Sequence, residues 1–147
     1  TFEEIASEAH FKYLELFTSP MALVTSSETS LKNKKTISLE EISTLPLAMP
    51  AGGFSTTQFI SKAFEKNNLH PNVTIEINDI PTLLELIKTG KWHTILTKTT
   101  IEDEKDLYAI PIKGENMTRT AMLISLKEVY EKKAVKAFLK MLMENLK

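Results

Sequence analysis

Short strand patterns alternate with helix patterns through the middle of the chain, and this alternation limits the available folds more than any other feature. Residues 46–50 form a brief apolar segment, residues 73–77 alternate apolar and polar side chains, and residues 94–97 resemble a third strand. A period of two is typical of a half-buried strand, whereas the intervening segments repeat apolar residues with helical spacing. This order predicts an α/β fold with a mainly parallel sheet covered by helices.

The helix starts carry capping patterns. Ser38 and Glu41 have the spacing of a capping box, in which a hydroxyl accepts from the third helical N–H and a carboxylate reaches back. Ser55 and Gln58 have the same spacing and predict a second capping box. Asp79 is expected to cap the helix that follows the strand at residues 73–77.

Further elements are predicted on both sides of this central part. Residues 21–24 are a short apolar run suited to a buried strand, while the residues before them show no clean period. Residues 108–112 and 121–125 are predicted as two more strands. The chain ends in a predicted helix whose apolar face comprises Ala134, Val135, Phe138, Leu139 and Leu142.

Charge and composition narrow the class of function. The 147 residues include 18 Lys and Arg and 19 Asp and Glu, giving a net charge of -1, and Arg119 is the only arginine. Nucleic-acid binding surfaces are basic and rich in arginine, so we expect this chain not to contact DNA itself. The absence of cysteine excludes disulfides and thiolate sites. No apolar run approaches the length of a membrane-spanning helix, and no export signal is visible.

Residues that could support catalysis are scarce. His10, His70 and His93 do not have the spacing of metal ligands, and the chain has neither a nucleophile elbow nor a nucleotide-binding glycine motif. His70 is expected in a solvated turn, and Glu76 on the solvent side of a strand. His93 is expected to pack at the entry of a strand, with a pocket-lining role as the alternative. We therefore predict a protein without enzymatic activity, metal or cofactor.

The turn at residues 51–57 is the strongest candidate for ligand contact. It follows a strand and opens a helix, and Gly52 and Gly53 allow close approach to the backbone. Unpaired N–H groups and the helix dipole attract anions at such a position, and Ser55 and Thr56 add hydroxyl groups. Ligands of open α/β sheets bind at the carboxyl ends of the strands. The alternative is that these residues only cap the helix, and both roles are compatible.

A second polar segment follows the next strand. Thr97 begins a run of hydroxyl residues and is followed by Lys98, whose ammonium group could attract an anion. Because it has the same position relative to its strand, we expect this segment to face the same cleft. A solvated polar loop is the alternative.

Seven segments, in their order and spacing, resemble the effector-binding domains of LysR-type transcription regulators. They are ISLEEI at 37–42, PLAMP at 46–50, GFST at 53–56, NLHPNV at 68–73, LLELIKTG at 83–90, LYAIPI at 107–112 and KAFL at 136–139. The resemblance covers nearly all of the chain from Leu16 onward. Within the family, the type that regulates cyanate-utilisation genes is the most similar.

The resemblance implies a module of two lobes, like a periplasmic binding protein, with the ligand between them. Residues 1–22 would be a remnant of regulatory lobe I and a crossover, and residues 23–114 would form regulatory lobe II. Residues 115–147 would be the C-terminal strand and helix that return to lobe I. The family's N-terminal helix-turn-helix domain and much of lobe I have no counterpart in this sequence.

The resemblance also implies a function, in which the chain senses a small polar or anionic effector and thereby switches a DNA-bound oligomer. The effector contacts would be Gly53, Phe54, Ser55 and Thr56, with Thr97 as a second contact. The family implies a cytoplasmic homodimer or tetramer that reaches DNA only through its N-terminal domain. The alternative function is a solute-binding receptor of a transport system, and an enzyme on the same scaffold is the third.

Overall fold

A computed structural model describes residues 10–127 and 132–146. The chain divides into two compact units. One comprises Thr1–Thr18 and Arg119–Lys147, and the other, called the sheet unit below, comprises Ser19–Thr118. The boundaries predicted from the sequence, after residues 22 and 114, and the assignment of regulatory lobes stay predictions.

Six strands and four helices are present in the described residues. The strands are β1 Phe11–Ser26, β2 Leu47–Pro50, β3 Val73–Ile77, β4 Thr94–Thr97, β5 Leu107–Pro111 and β6 Thr118–Leu126. The helices are α1 Leu39–Ser43, α2 Ser55–Lys66, α3 Ile80–Lys88 and α4 Lys133–Asn145, with 3₁₀ turns at Ser30–Asn33 and Lys98–Ile101. No helix in this part of the chain is long and apolar enough to cross a membrane.

The sheet unit has the predicted α/β class, and its strand pairing is mixed, with most strands pointing in one direction. The end of β1 lies between β4 and β5 and is antiparallel to both. β2 is parallel to β3, and it joins β4 through a parallel bridge between Leu47 and His93 and through a bond from Ala48 N to His93 O of 2.9 Å. β2, β3, β4 and β5 therefore share one direction, and β1 alone runs against them.

The strand β1 is much longer than the sequence pattern indicated. It spans sixteen residues rather than residues 21–24, and it pairs with β6 as well as with β4 and β5. Only its final residues are buried continuously, whereas residues 11–18 alternate irregularly between half-buried and exposed positions. The period of two is lost there because neither face is fully buried, so no strand pattern is visible in the sequence.

Helices cover the sheet on both faces. One apolar cluster contains Leu23 and Ile95 with Ile60 and Phe64 of α2, and the other contains Val24 and Leu96 with residues of α3. Successive residues of a strand point to opposite faces, so neighbouring residues of β1 and β4 contribute to different clusters. The sheet thus has two cores, and its strands are apolar on both sides.

Two of the three predicted helix caps are present. The N–H of Glu41 donates to Ser38 Oγ at 3.2 Å, and the N–H of Ser38 donates to Glu41 Oε2 at 3.0 Å, which completes the predicted capping box. Asp79 Oδ2 accepts from the N–H of Thr82 at 2.8 Å.

The predicted capping box at Ser55 and Gln58 is wrong. Phe54 is the N-cap of α2 and its side chain makes no cap, while Ser55 is already the first helical residue. The helix starts one residue early because the N–H of Phe54 donates to Ala51 O at 3.0 Å, closing a turn that leads directly into the helix. The N–H of Gln58 accordingly bonds to Phe54 O at 3.1 Å.

Removing the hydroxyl of Ser38 tests the capping box that is present. We expect Ser38→Ala to lower the free energy of unfolding by about 1 kcal/mol, because an N–H at the start of α1 loses its acceptor. Urea denaturation measures the change. Ser61→Ala, at an exposed position inside α2, is the control and is expected to leave stability unchanged or slightly raised. Equal effects of the two substitutions would contradict the capping role.

Candidate functional site at the carboxyl edge of the sheet

The carboxyl ends of β2, β3, β4 and β5 lie at one edge of the sheet, which we call the carboxyl edge. Because β1 runs in the opposite direction, its earlier residues reach the same edge, where Met21 is opposite Thr97 and Ala22 is opposite Pro111. The turn at residues 51–57 and the 3₁₀ turn Lys98–Ile101 both leave this edge, from the neighbouring strands β2 and β4. The structure thus brings the two predicted contact segments to the same side of the sheet.

Hydrogen bonds hold the turn at residues 51–57 against the strands. The N–H of Ala51 donates to Ile77 O at 2.9 Å, which extends the pairing of β2 with β3 beyond the strand itself. Thr57 Oγ1 donates to Pro50 O at 2.9 Å. The hydroxyl of Thr57 is therefore used inside the fold, and the turn has a defined position before any ligand binds.

The N-cap of α2 makes no side-chain hydrogen bond to the start of the helix. An α-helix leaves the N–H groups of its first turn without intrahelical acceptors, and the phenyl ring of Phe54 cannot accept them as a polar cap would. Ser55 and Thr56 are half-buried at this position. The twelve residues of α2 place the positive end of its dipole here.

The two glycines of the turn are not required by the fold of the sheet unit. Neither Gly52 nor Gly53 has a positive φ, unlike Gly90 at 80° and Gly114 at 145°. A β-carbon added to either would meet no heavy atom within 4 Å in the part of the chain that the structure describes, beyond its immediate neighbours. The backbone at Gly52 and Gly53 is therefore not covered by other described residues, and we call this segment the bare glycine turn.

Thr97 belongs to a network of hydroxyl groups. Its side chain is 3% exposed, and its Oγ1 lies 2.9 Å from Thr100 Oγ1 and accepts from Thr99 Oγ1 at 3.3 Å. The N–H of Thr99 donates to Ser19 Oγ at 3.2 Å, which ties this segment to β1. Lys98 and Thr100 are exposed. No local pattern indicates Ser19, because its partner is eighty positions away in the sequence.

Two groups of charged side chains in the sheet unit, one after β3 and one at the end of α3, are engaged within the fold. The Asp79 carboxylate after β3 accepts hydrogen bonds from the hydroxyl and the N–H of Thr82, and these lower its pKa. Hydrogen bonds from Lys88 to Glu85 and Glu104, at 2.7 and 2.9 Å, raise the pKa of the lysine and fasten the segment after the 3₁₀ turn to α3. The turn at residues 51–57 itself contains no charged side chain.

The remaining candidates from the sequence lie elsewhere. His70 and Glu76 are exposed, as predicted. His93 is half-buried at the entry of β4, where the predicted packing role is confirmed, and this position is at the opposite end of β4 from the carboxyl edge. Among the described residues, no three His, Asp or Glu side chains lie close enough together to hold a metal ion.

Comparison with known proteins identifies the family. The family model described as the LysR substrate binding domain matches residues 2–147. The chain is 27% identical over 128 residues to the HTH-type transcriptional regulator CysB of Burkholderia cenocepacia, covering 80% of this chain and 41% of that protein. It is 28% identical over 98 residues to the HTH-type transcriptional activator CmpR of Synechocystis sp., covering 67% of this chain and 29% of that protein.

Solved structures agree on the fold. The CcmR regulatory domain of Synechocystis, in complex with 2-PG, has a TM-score of 0.83 at 18% identity, covering 98% of this chain and 71% of that one. The effector binding domain of QuiR, in complex with shikimate, has a TM-score of 0.77 at 18% identity, covering 96% and 68%. HinK of Pseudomonas aeruginosa has a TM-score of 0.79 at 14% identity, covering 99% and 51%.

The comparisons favour one of the functions that the sequence left open. The curated relatives are transcription regulators, which favours a regulator over a transport receptor, and the chain spans less than half the length of each. The predicted periplasmic-binding-protein-like α/β fold agrees with the structural matches. By the match over residues 2–147, the chain belongs to the LysR substrate-binding domain family and is the effector-binding domain of a LysR-type regulator.

Proposed function

We propose that this chain binds a small polar or anionic effector at the carboxyl edge of the sheet unit, without catalysis. The main contact with the effector is formed by Gly53, Phe54, Ser55 and Thr56. Thr97 forms a second contact. In the whole protein, effector binding switches a DNA-bound homo-oligomer in the cytoplasm, and a helix-turn-helix domain makes the DNA contacts. The observation that carries this proposal is the bare glycine turn in front of an uncapped helix.

The glycine pair supports a contact with something outside the chain. Glycine costs conformational entropy on folding, and it is usually found where φ is positive or where another group approaches closely. Neither a positive φ nor a close neighbour within the described residues accounts for Gly52 and Gly53. A ligand that approaches the backbone N–H groups supplies the missing reason.

The polar groups at the edge favour a hydrogen-bond acceptor as ligand. The start of α2 offers N–H donors and the positive end of a dipole, and Lys98 offers an ammonium group. Thr97 contributes to the effector contact through its hydroxyl group, which is hydrogen-bonded to the hydroxyl group of Thr100. The structures of CcmR with 2-PG and of QuiR with shikimate support a small-molecule effector of this kind.

Effector binding acts by shifting a conformational equilibrium. A ligand changes the populations of two arrangements only if it binds one of them more tightly. Because the turn at residues 51–57 is tied to β2 and β3 and the Thr97 segment is tied to β1, the contacts are preorganised. Ordering the sheet unit therefore costs the ligand little binding free energy. More of that free energy can shift the equilibrium between the two arrangements.

Assembly into oligomers is supported by the exposed apolar face of α4. Val135, Phe138 and Met141 are 45%, 53% and 58% exposed, at spacings that place them on one side of the helix. Apolar surface of this kind is usually covered by another chain or segment in the working protein. We propose that association with a second copy, or exchange of α4 between copies, covers it.

Ligand-dependent stabilisation of the complete regulatory domain tests the proposed function. Small anions and metabolites, including 2-PG and shikimate, are screened by thermal unfolding. A true effector at about 100 times its dissociation constant adds about 2.7 kcal/mol to the free energy of unfolding. Turnover of a stabilising compound would contradict the absence of catalysis.

Two glycine substitutions separate binding from folding. We expect Gly53→Ala to leave the free energy of unfolding within about 1 kcal/mol of the native value, because the added methyl group has room and the unfolded chain loses entropy. The same methyl group obstructs the ligand, so affinity falls by about tenfold, equivalent to about 1.4 kcal/mol. Gly90→Ala has the opposite profile, since its φ of 80° costs about 1 kcal/mol of stability while affinity is unchanged. Calorimetry and urea denaturation measure both quantities.

Removing a hydroxyl at the helix start gives an independent test. We expect Thr56→Ala to weaken effector binding about three- to tenfold, which corresponds to one hydrogen bond. Ser55→Ala is expected to act in the same direction, and Ser61→Ala, exposed on the same helix, is the control. Unchanged affinity in both variants, with the control also unchanged, would remove these two side chains from the effector site.

A further inference from the structure

The amino end of β4 carries two consecutive side chains that reach in opposite directions across the sheet. Trp92 Nε1 donates to Thr74 Oγ1 on β3 at 3.0 Å. His93 Nδ1 lies 2.9 Å from Thr25 Oγ1 on β1. Both bonds join side chains far apart in sequence, and neither takes part in the carboxyl edge, which is at the other end of β4.

His93 is also held by its main chain. Its N–H donates to Pro46 O at 3.1 Å, and its carbonyl accepts from the N–H of Ala48 at 2.9 Å. The backbone is thus fixed to β2 on one side, while the imidazole ring holds β1 on the other. Thr25 is fully buried and stands opposite Tyr108 of β5. A single residue therefore links three strands at the end of the sheet.

We propose that His93 is an acid-sensitive latch, which secures the end of β1 to the start of β4 and releases it when the imidazole takes up a proton. The neutral ring can accept a hydrogen bond at one nitrogen and donate one at the other, which suits a threonine hydroxyl. The protonated ring is a cation with two donors. The charged ring is more stable in water than in its half-buried position. If the ring moves out into water, the buried hydroxyl of Thr25 loses its hydrogen-bond partner.

The residues that the neighbouring strands place beside His93 are uncharged. β1 presents Thr25 and Ser26, β2 presents the uncharged residues 46–48, and β5 presents Tyr108. The charged residues near the ring in the chain are Lys91 before it, Glu28 in the turn after β1 and Asp106 just before β5, and all three are exposed. Burial lowers the pKa of His93, and no charged group acts on it among the described residues.

The direction of the pH effect follows from this lowered pKa. The unfolded chain binds a proton near the ordinary histidine value of 6.5, whereas the folded chain binds it only at a lower pH. The latch therefore contributes its full stability above pH 6.5 and loses it as the pH falls toward the folded-state pKa. β1 is the strand that also carries Ser19 at the carboxyl edge, so release affects a strand that runs from one end of the sheet to the other.

Urea denaturation between about pH 8 and about pH 5 tests the proposal on the folded protein. We expect the midpoint to fall on acidification, and His93→Gln, which can still hydrogen-bond but cannot titrate, to flatten this fall. His70→Gln removes an exposed imidazole and is expected to keep the native profile. An unchanged pH profile in His93→Gln would overturn the latch.

Amide hydrogen exchange distinguishes a latch from a histidine that is merely buried. Thr25→Val keeps the shape but removes the hydroxyl, so at neutral pH the protection factors of residues 22–26 are expected to drop several-fold, toward those of the native protein in acid. Unchanged protection would overturn the proposal. If the variants fail to fold, an NMR titration of native His93 serves, and a pKa at or above 6.5 would equally overturn it.

Discussion

The burial of one antiparallel segment at the centre of the sheet determines the arrangement of the rest. Met21, Ala22, Leu23 and Val24 are fully buried between β4 and β5, with apolar clusters on both faces. The backbone N–H and C=O groups of a strand in this position must form hydrogen bonds with the neighbouring strands, and its side chains must pack against the helices. The positions of β4 and β5, and hence of the loops that leave them, depend on this register. A slip by one residue would exchange the two faces and disrupt both cores.

Much of the fold could be predicted because its determinants are local. The capping pairs at Ser38 and Asp79, the alternation in β3 and the helical repeat in α2 are all patterns within a few residues. The length of β1 could not, because residues 11–18 are only partly buried and give no period. Ser55 was misassigned for a physical reason as well: the bond from Phe54 to Ala51 starts the helix one residue before the polar residue that resembled a cap.

The candidate site was predicted in part. Position relative to the strands was enough to select the turn at residues 51–57 and the Thr97 segment, because carboxyl ends of parallel strands meet at one edge. The internal bonds of these segments depend on tertiary contacts that no local pattern contains. Thr57 donates to a strand carbonyl, Thr97 is buried beside Thr100, and Ser19 is brought in by β1. The same applies to the contact between Thr25 and His93, which are 68 positions apart.

The bare glycine turn has a consequence for how such a domain can change its ligand. A position that bears neither backbone strain nor close packing can be substituted with little loss of stability, so variation there is decoupled from folding. Side chains introduced at Gly52 or Gly53 would enter open space and reshape the surface proposed for the effector contact. A library of variants at these two positions is therefore a practical starting point for building sensors of new small molecules on an unaltered scaffold.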